Sequence, residues 1–323
     1  MITRRQVEMA AAQSGFRPDS VEKVLHLCAI LGRLDRHPTT REAWVLKGGT
    51  ALNLLHLDVP RMSVDIDLNY VGAIDREAML AARPGFEAAL VAVCEREGCT
   101  VKRAPHEHAG GKFRLRFVSV IGGSQNLEVD VNYVARVPLL GSERMTARFP
   151  PDESIEVPTL PLVALAAGKF TALLQRSAAR DSFDAANLLR LQPGLMDNEG
   201  FRLAFVCNMG GGRTDPRDLV PKDLVPDLTA LRQQLIPMLQ VGTDQTAPDP
   251  EELRGRLVRE LNNVANRLID WSPSERHFLD RLHDEGVVDA MALSSDPVLQ
   301  ERIRTQPMLL WKAQNVRSFR GRT

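Results

Sequence analysis

Two stretches, Ser63-Val-Asp-Ile-Asp-Leu-Asn-Tyr70 and Leu127-Glu-Val-Asp-Val-Asn-Tyr-Val134, alternate apolar and polar residues. A period of two is a strand pattern, because successive side chains point to opposite faces. Val64, Ile66, Leu68 and Tyr70 share one face of the first strand, and Leu127, Val129, Val131 and Tyr133 one face of the second. The other faces carry Ser63, Asp65, Asp67 and Asn69, and Glu128, Asp130 and Asn132. The chain must therefore build a sheet with one apolar face and carboxylates at i and i+2 on the other. Aspartate is depleted in strands, and carboxylates this close repel unless a positive group sits between them. Two readings follow for Asp65 and Asp67. One is the solvated face of an edge strand. The other is a seat for a hard cation such as Mg2+, which takes one or two carboxylates plus phosphate oxygens and waters. If the two strands are neighbours, Asp130 completes a three-carboxylate cluster, able to hold two metals roughly 3.5–4 Å apart. A plain polar strand face is the alternative for Asp130.

Upstream lies Lys47-Gly-Gly-Thr50, followed by Ala51-Leu-Asn-Leu-Leu-His56, which is good helix material. Gly48 and Gly49 let the backbone bend sharply and approach a ligand. Thr50 is expected to cap the helix. A helix starting here aims unpaired N–H groups and the positive end of its dipole at a phosphate, with Lys47 adding a full charge. A loop-to-helix junction with a surface lysine is the other reading.

A second polar constellation is expected further on. Thr159-Leu-Pro161 gives a helix start, and the helix runs through Leu162, Leu165, Ala166, Lys169, Leu173 and Arg176. Lys169 and Arg176 are seven apart and share a face. A following helix begins near Asp181, a favoured cap, and Arg176 and Arg180 flank the junction. Two solvated helices with ordinary surface charge would give the same pattern. With 34 arginines and 7 lysines in the chain, lysines at positions 47 and 169 are less easily filler.

Further helices are expected over Gln6–Ser14, Ser20–Leu34 and Asp75–Glu97, and strands over Val64–Val71, Gly111–Val120 and Asn126–Val134. Arg148-Phe-Pro-Pro-Asp152 reads as a boundary, Asn208–Arg213 and Val241–Pro250 as loops, and Trp271-Ser-Pro-Ser-Glu275 as a cap before a helix reaching His283. The length suggests about two domains. The fold class is α/β (α+β) and bilobed, with a mixed sheet in residues 1–150 and a mostly helical lobe in 151–323. Cys28, Cys94, Cys99 and Cys207 have no metal spacing and read as reduced and buried, consistent with the cytoplasm. No apolar run is long enough for a membrane span and no secretory signal is visible. His106 and His108 lack the third ligand a zinc site needs. Net charge is zero, which excludes a generic polyanion binder, but residues 301–323 hold six basic residues and one acidic residue. Lys102, Arg103, Lys112, Arg114 and Arg116 form a second basic cluster. Such patches can follow an RNA backbone, or be a solvated face and a frayed tail.

A glycine turn, a short helix and a strand bearing Asp-x-Asp resemble the polymerase-β-like nucleotidyltransferases. Leu46-Lys-Gly-Gly-Thr-Ala-Leu52 with Arg61-Met-Ser-Val-Asp-Ile-Asp-Leu68 is similar, more narrowly, to the AbiEii/MenT nucleotidyltransferase toxins. Leu165-Ala-Ala-Gly-Lys-Phe170, Arg180-Asp-Ser-Phe-Asp184 and Pro307–Val316 agree, in the same order. The resemblance implies that Gly48, Gly49 and Thr50 hold phosphates and that Asp65 and Asp67 bind metal; Lys47 and Ser63 are expected to bind nucleotide beside them. It implies that Lys169 contacts the triphosphate, and that Asp181 and Asp184 match an Arg/Lys-Asp-x-x-Asp segment, in which Asp184 is assigned to catalysis and Asp181 to capping. Arg180 stands where many relatives have lysine, which keeps the charge but changes the hydrogen-bond geometry. The implied activity is nucleotide transfer from an NTP to RNA, at the 3′ end of tRNA, with Mg2+ or Mn2+ and release of pyrophosphate. The implied setting is a bacterial toxin–antitoxin or phage-defence system with a cognate antitoxin encoded nearby and no membrane partner. On this reading residues 151–323 complete the active site. A phosphate on Ser63 would add about −1.5 to −2 charges beside Asp65 and would silence the enzyme or sequester its metal. A nucleotidyltransferase of small molecules and a catalytically idle binding module are the alternatives.

Overall fold

The computed structural model describes residues 2–103, 110–150, 155–220, 224–241 and 247–321. His106, His108, Asp152, residues 242–246 of the expected loop and the last two residues of the basic tail lie outside them. Two compact units are present, and neither is one continuous segment. The first comprises Met1–Arg136, Ser142–Leu160 and Ile236–Pro248; the second comprises Val137–Gly141, Pro161–Leu235 and Asp249–Thr323.

The first unit carries helices α1 (Arg4–Ser14), α2 (Pro18–Arg36), α3 (Gly48–Ala51, continued by a π-helical turn Leu52–His56) and α4 (Arg76–Arg96). Its strands are β1 (Trp44–Lys47), β2 (Asp65–Tyr70), β3 (Thr100–Arg103), β4 (Gly110–Val118), β5 (Ser124–Asn132), β6 (Glu143–Thr146) and β7 (Glu156–Thr159). They form one mixed sheet in the order β3-β4-β5-β2-β1-β7-β6. β2 lies between β1, antiparallel, and β5, parallel. The alternating segments are thus adjacent strands inside the sheet, and neither is an edge.

The apolar face packs as the period of two requires. Ile66, Leu68, Val129, Val131 and Phe113 are fully buried. Phe86 of α4 sets its ring on Tyr70 (5.3 Å, edge-on) and Tyr133 (6.5 Å, edge-on). Asp75 caps α4 by accepting from Ala78 N at 2.8 Å. Glu22 of α2, fully buried, fastens the β4–β5 hairpin by accepting from Val120 N (2.7 Å) and Gln125 Nε2 (2.8 Å). Residues 236–248 rejoin this unit partly through Met62 N, which donates to Met238 O at 2.7 Å.

The second unit is helical: α5 (Leu162–Arg176), α6 (Ala179–Leu191), α7 (Glu199–Gly210), α8 (Leu228–Ala230), α9 (Pro250–Glu260), α10 (Val264–Ile269), α11 (Pro273–Asp280), α12 (Pro297–Arg304) and α13 (Pro307–Arg320). A row of rings, Phe170, Phe201, Phe205 and Trp271, runs through it at centroid spacings of 5.5, 5.9 and 5.8 Å. The expected cap at Ser272 is present as a capping box with Glu275. Phe278, Leu279, Leu282, Ile303, Leu309 and Ala313 form its other core. All four cysteines are buried and none is in a disulfide.

Candidate active site

Strand register decides which polar side chains meet, because register partners project from the same face. Lys47, Asp67, Asp130 and Lys112 are successive partners across β1, β2, β5 and β4. Asp65, Glu128, Arg114 and Lys102 form the next row across β2, β5, β4 and β3. Asp65 and Asp67 are half-buried and Asp130 is exposed. Lys112 Nζ lies 2.7 Å from Glu128 Oε2. That hydrogen bond, with the charges of Glu128 and Asp130, holds the Lys112 ammonium above its usual range. Arg103 departs from the expected basic cluster. It pairs with Phe113 on the opposite face and donates to Glu87 Oε1 at 3.0 Å.

The glycine turn meets this face at Asp67. Gly48 has φ +74, and a Cβ built on it would lie 2.2 Å from Asp67 Oδ2. A Cβ on Gly49 would lie 2.8 Å from Arg61 Nη2 and 2.9 Å from Ser63 Oγ. Only glycine fits both positions without moving these groups. Asn53, fully buried, donates from Nδ2 to Gly49 O at 2.9 Å and holds the turn from below.

Two expectations change here. Thr50 does not cap the helix, which starts at Gly48 with Lys47 in the cap position. Thr50 is fully buried, and its hydroxyl donates to Asp65 O (2.5 Å) and approaches Ser63 Oγ (3.0 Å). It clamps the start of β2 to the turn. Ser63 lies ahead of β2, not within it, and is 4% exposed. Arg61 carries no role readable from sequence alone, yet it is 1% exposed with its guanidinium behind Gly49. Arginine is rarely buried unless paired, and its place in the Arg61–Leu68 motif was the one available signal.

Whether a metal fits can be judged from the donors. Asp65 and Asp67 offer hard oxygens from one strand face, which suits a small divalent cation completed by phosphates and waters. Among the described residues, no group of three or more His, Cys, Asp or Glu side chains is placed to hold a metal ion. The expected three-carboxylate cluster is therefore not assembled, although Asp130 is the register neighbour of Asp67.

The second unit holds its own charged cluster. Lys169 Nζ lies 3.1 Å from Asp181 Oδ1 and 2.8 Å from Asp184 Oδ2. Arg176 Nε donates to Asp181 Oδ2 at 2.7 Å. Asp181 is 1% exposed and Asp184 is fully buried. Burial alone would raise the Asp181 pKa; Lys169 and Arg176 outweigh it and hold the carboxyl below its usual range. Asp181 is not a helix cap, as had been expected: α6 starts after Ala178, and no side chain caps it. Its carboxylate is spent on the two cations. Arg180, half-buried, sits between Ala179 and Asp181 on the first turn of α6.

Comparison with known proteins adds the following. A family model described as nucleotidyl transferase AbiEii toxin, type IV toxin–antitoxin system, matches residues 29–266. The fold is similar to that of MenT4, a nucleotidyltransferase toxin from Mycobacterium tuberculosis H37Rv, with a TM-score of 0.55 and 18% identity over 96% of this chain and 99% of that one. No curated protein matches the chain. No helix among the described residues is long and apolar enough to cross a membrane.

Proposed function

We propose a reaction and a division of labour from the premise that this chain belongs to the AbiEii family of nucleotidyltransferase toxins of type IV toxin–antitoxin systems. The protein is a nucleotidyltransferase, its donor is a nucleoside triphosphate, and its system includes a cognate antitoxin. The proposed acceptor is an RNA hydroxyl, at the 3′ end of tRNA, with pyrophosphate leaving. Growth arrest in a toxin–antitoxin or phage-defence setting is the proposed outcome.

Gly48 and Gly49 present backbone N–H groups to the phosphates, with Lys47 beside them and Arg61 as a fixed charge behind. Asp65 and Asp67 hold a divalent cation such as Mg2+ or Mn2+, and Asp130 stands next to them. When bound, such an ion supplies charge neutralisation on the phosphates and lowers the pKa of the acceptor hydroxyl. Thr50 and Ser63 keep the start of β2 against the turn, so that the carboxylates do not need to move. Lys169 is assigned to the triphosphate, Asp184 to catalysis, and Arg180 and Asp181 to nucleotide binding. In this scheme most of the acceleration comes from positioning and fixed charge.

The observation that carries the proposal is the approach of Asp67 Oδ2 to the Cβ position of Gly48, 2.2 Å, which puts carboxylate and glycine turn in one place. Incubation with each of four α-labelled triphosphates, total RNA and Mg2+ tests it. Label in RNA supports the proposal; label only in a small acceptor replaces the substrate class; no label in either removes the reaction.

A further inference from the structure

Trp311 and Phe319 are the exposed aromatic residues of this protein, 56% and 74% exposed, and both lie on α13. Every other Phe, Tyr and Trp is buried or half-buried. The two rings lie about 12 Å apart along the helix axis, from eight residues of rise. They line one groove of about 580 Å3 with Arg213, Lys312, Asn315 and Arg320. Exposed aromatics of this size carry a hydration cost unless something covers them.

The groove has a fixed frame. Leu309 and Ala313 turn the opposite side of α13 into the core. Lys312 Nζ donates to Gly212 O at 3.2 Å, tying α13 to the segment after α7. Gly286, at φ +67, lets the chain pass so close to α13 that a Cβ there would meet Ala313 O at 2.5 Å. Arg217 bridges Asp215 and Asp284, each at 2.6 Å, and the Arg320 charge also acts on Asp284. In sequence, residues 301–323 carry six basic residues against one acidic residue.

Exposed rings interleaved with guanidinium and ammonium groups suit a strand of unpaired nucleotides, whose bases stack while its phosphates meet the cations. An acidic partner helix would satisfy the charge but gives no reason for two flat rings and an amide in one line. We propose that this groove binds a single-stranded segment of RNA, with Trp311 and Phe319 as stacking platforms and Arg213 and Arg320 as phosphate contacts. The groove lies largely beyond residues 29–266, which the family model matches. The proposal rests on the reading of RNA as acceptor, and its test is independent of turnover.

The test uses the full chain and a dye-labelled, unstructured 12-nucleotide RNA, with a duplex of equal length and an acidic helical peptide as competitors. Single-stranded RNA is expected to bind more tightly than duplex and to quench Trp311, a signal absent in Trp311→Phe. Trp311→Ala with Phe319→Ala should weaken binding about tenfold or more. Trp311→Phe, which keeps a ring, should bind within about threefold of wild type. Arg213→Ala and Arg320→Ala should each lower the slope of log affinity against log salt by roughly 0.7. Unchanged binding in the double alanine variant would overturn the proposal, as would equal affinity for duplex. Trp311 quenching by the peptide but not by RNA would overturn it too, and make the groove a protein-docking face. Label transfer is measured in parallel. RNA that is labelled yet bound normally by the double variant defeats the groove alone; ring-dependent binding without RNA labelling defeats the acceptor reading alone.

Discussion

Lys169 Nζ stands 2.8 Å from Asp184 Oδ2, and Asp184 has no solvent exposure. A buried carboxylate is tolerated only with a partner, so the lysine has a structural duty whatever else it contacts. Lys169→Met leaves Asp181 and Asp184 short of a cation and should cost about 3–5 kcal/mol in chemical denaturation. Lys169→Met with Asp184→Asn should cost less than the lysine change alone, because the stranded charge is gone. Simple additivity of the two changes would contradict the pairing.

Gly48→Ala should both strain the backbone and displace Asp67. The positive φ costs about 1 kcal/mol or more, while the new methyl meets Asp67 Oδ2 at 2.2 Å and its Cβ and Cγ at 3.0 Å. Nucleotide transfer should fall at least about 100-fold, more than the modest drop in thermal midpoint explains. A variant that keeps wild-type kcat would show that the turn and the carboxylate act separately.

Thr50→Val removes the hydroxyl that reaches Asp65 O and Ser63 Oγ. The expected loss is about 1–2 kcal/mol of stability, with a fall in kcat larger than any rise in KM, since β2 and its carboxylates lose their clamp. Ser63, at 4% exposure, is covered by the same contact. Intact mass after co-expression with the antitoxin reads whether Ser63 gains a phosphate; no mass shift removes modification of Ser63 as the antidote.

Stability should fall in mildly acidic solution. Burial pushes His26, His56 and His283 below the usual histidine range. The unfolded chain takes up these protons near pH 6.5, before the folded chain does. Their contribution is therefore full above about pH 6.5 and is lost as pH falls through the folded values. Each residue adds up to about 1.4 kcal/mol per pH unit to the slope. Asp181, Asp215 and Glu275, held low by their cations, retain their contribution to lower pH. A thermal midpoint that is flat from pH 7.5 to 5.5 would contradict the burial of the three rings.

Much of the sheet and half of the candidate site were legible because a period of two is local. Residues 63–70 and 127–134 announced their own faces, and adjacent register then paired Asp67 with Asp130. What could not be read depended on contacts distant in sequence. Thr50 has the chemistry of a cap, yet the positive φ of Gly48 starts the helix earlier and turns the hydroxyl onto Asp65 O. Asp181 has the chemistry of a cap, but α6 starts two residues earlier, at Ala179, and Lys169 and Arg176 on the preceding helix claim its carboxylate. Arg103 looked like one more cation of the hairpin until its strand phase set it on Glu87. Arg61 is buried behind Gly49, a position that polarity alone argues against. The return of residues 236–248 to the first unit leaves no periodic trace at all.

Transfer of α-labelled nucleotide to RNA by Asp65→Asn and Asp67→Asn proteins tests the central claim most directly. Both changes keep size and remove charge, so the thermal midpoint should stay close to wild type. The account predicts that each variant loses transfer by about 1,000-fold or more while remaining folded, since the cation that would neutralise the phosphates loses its seat. Folded variants that still label RNA at the wild-type rate would contradict it.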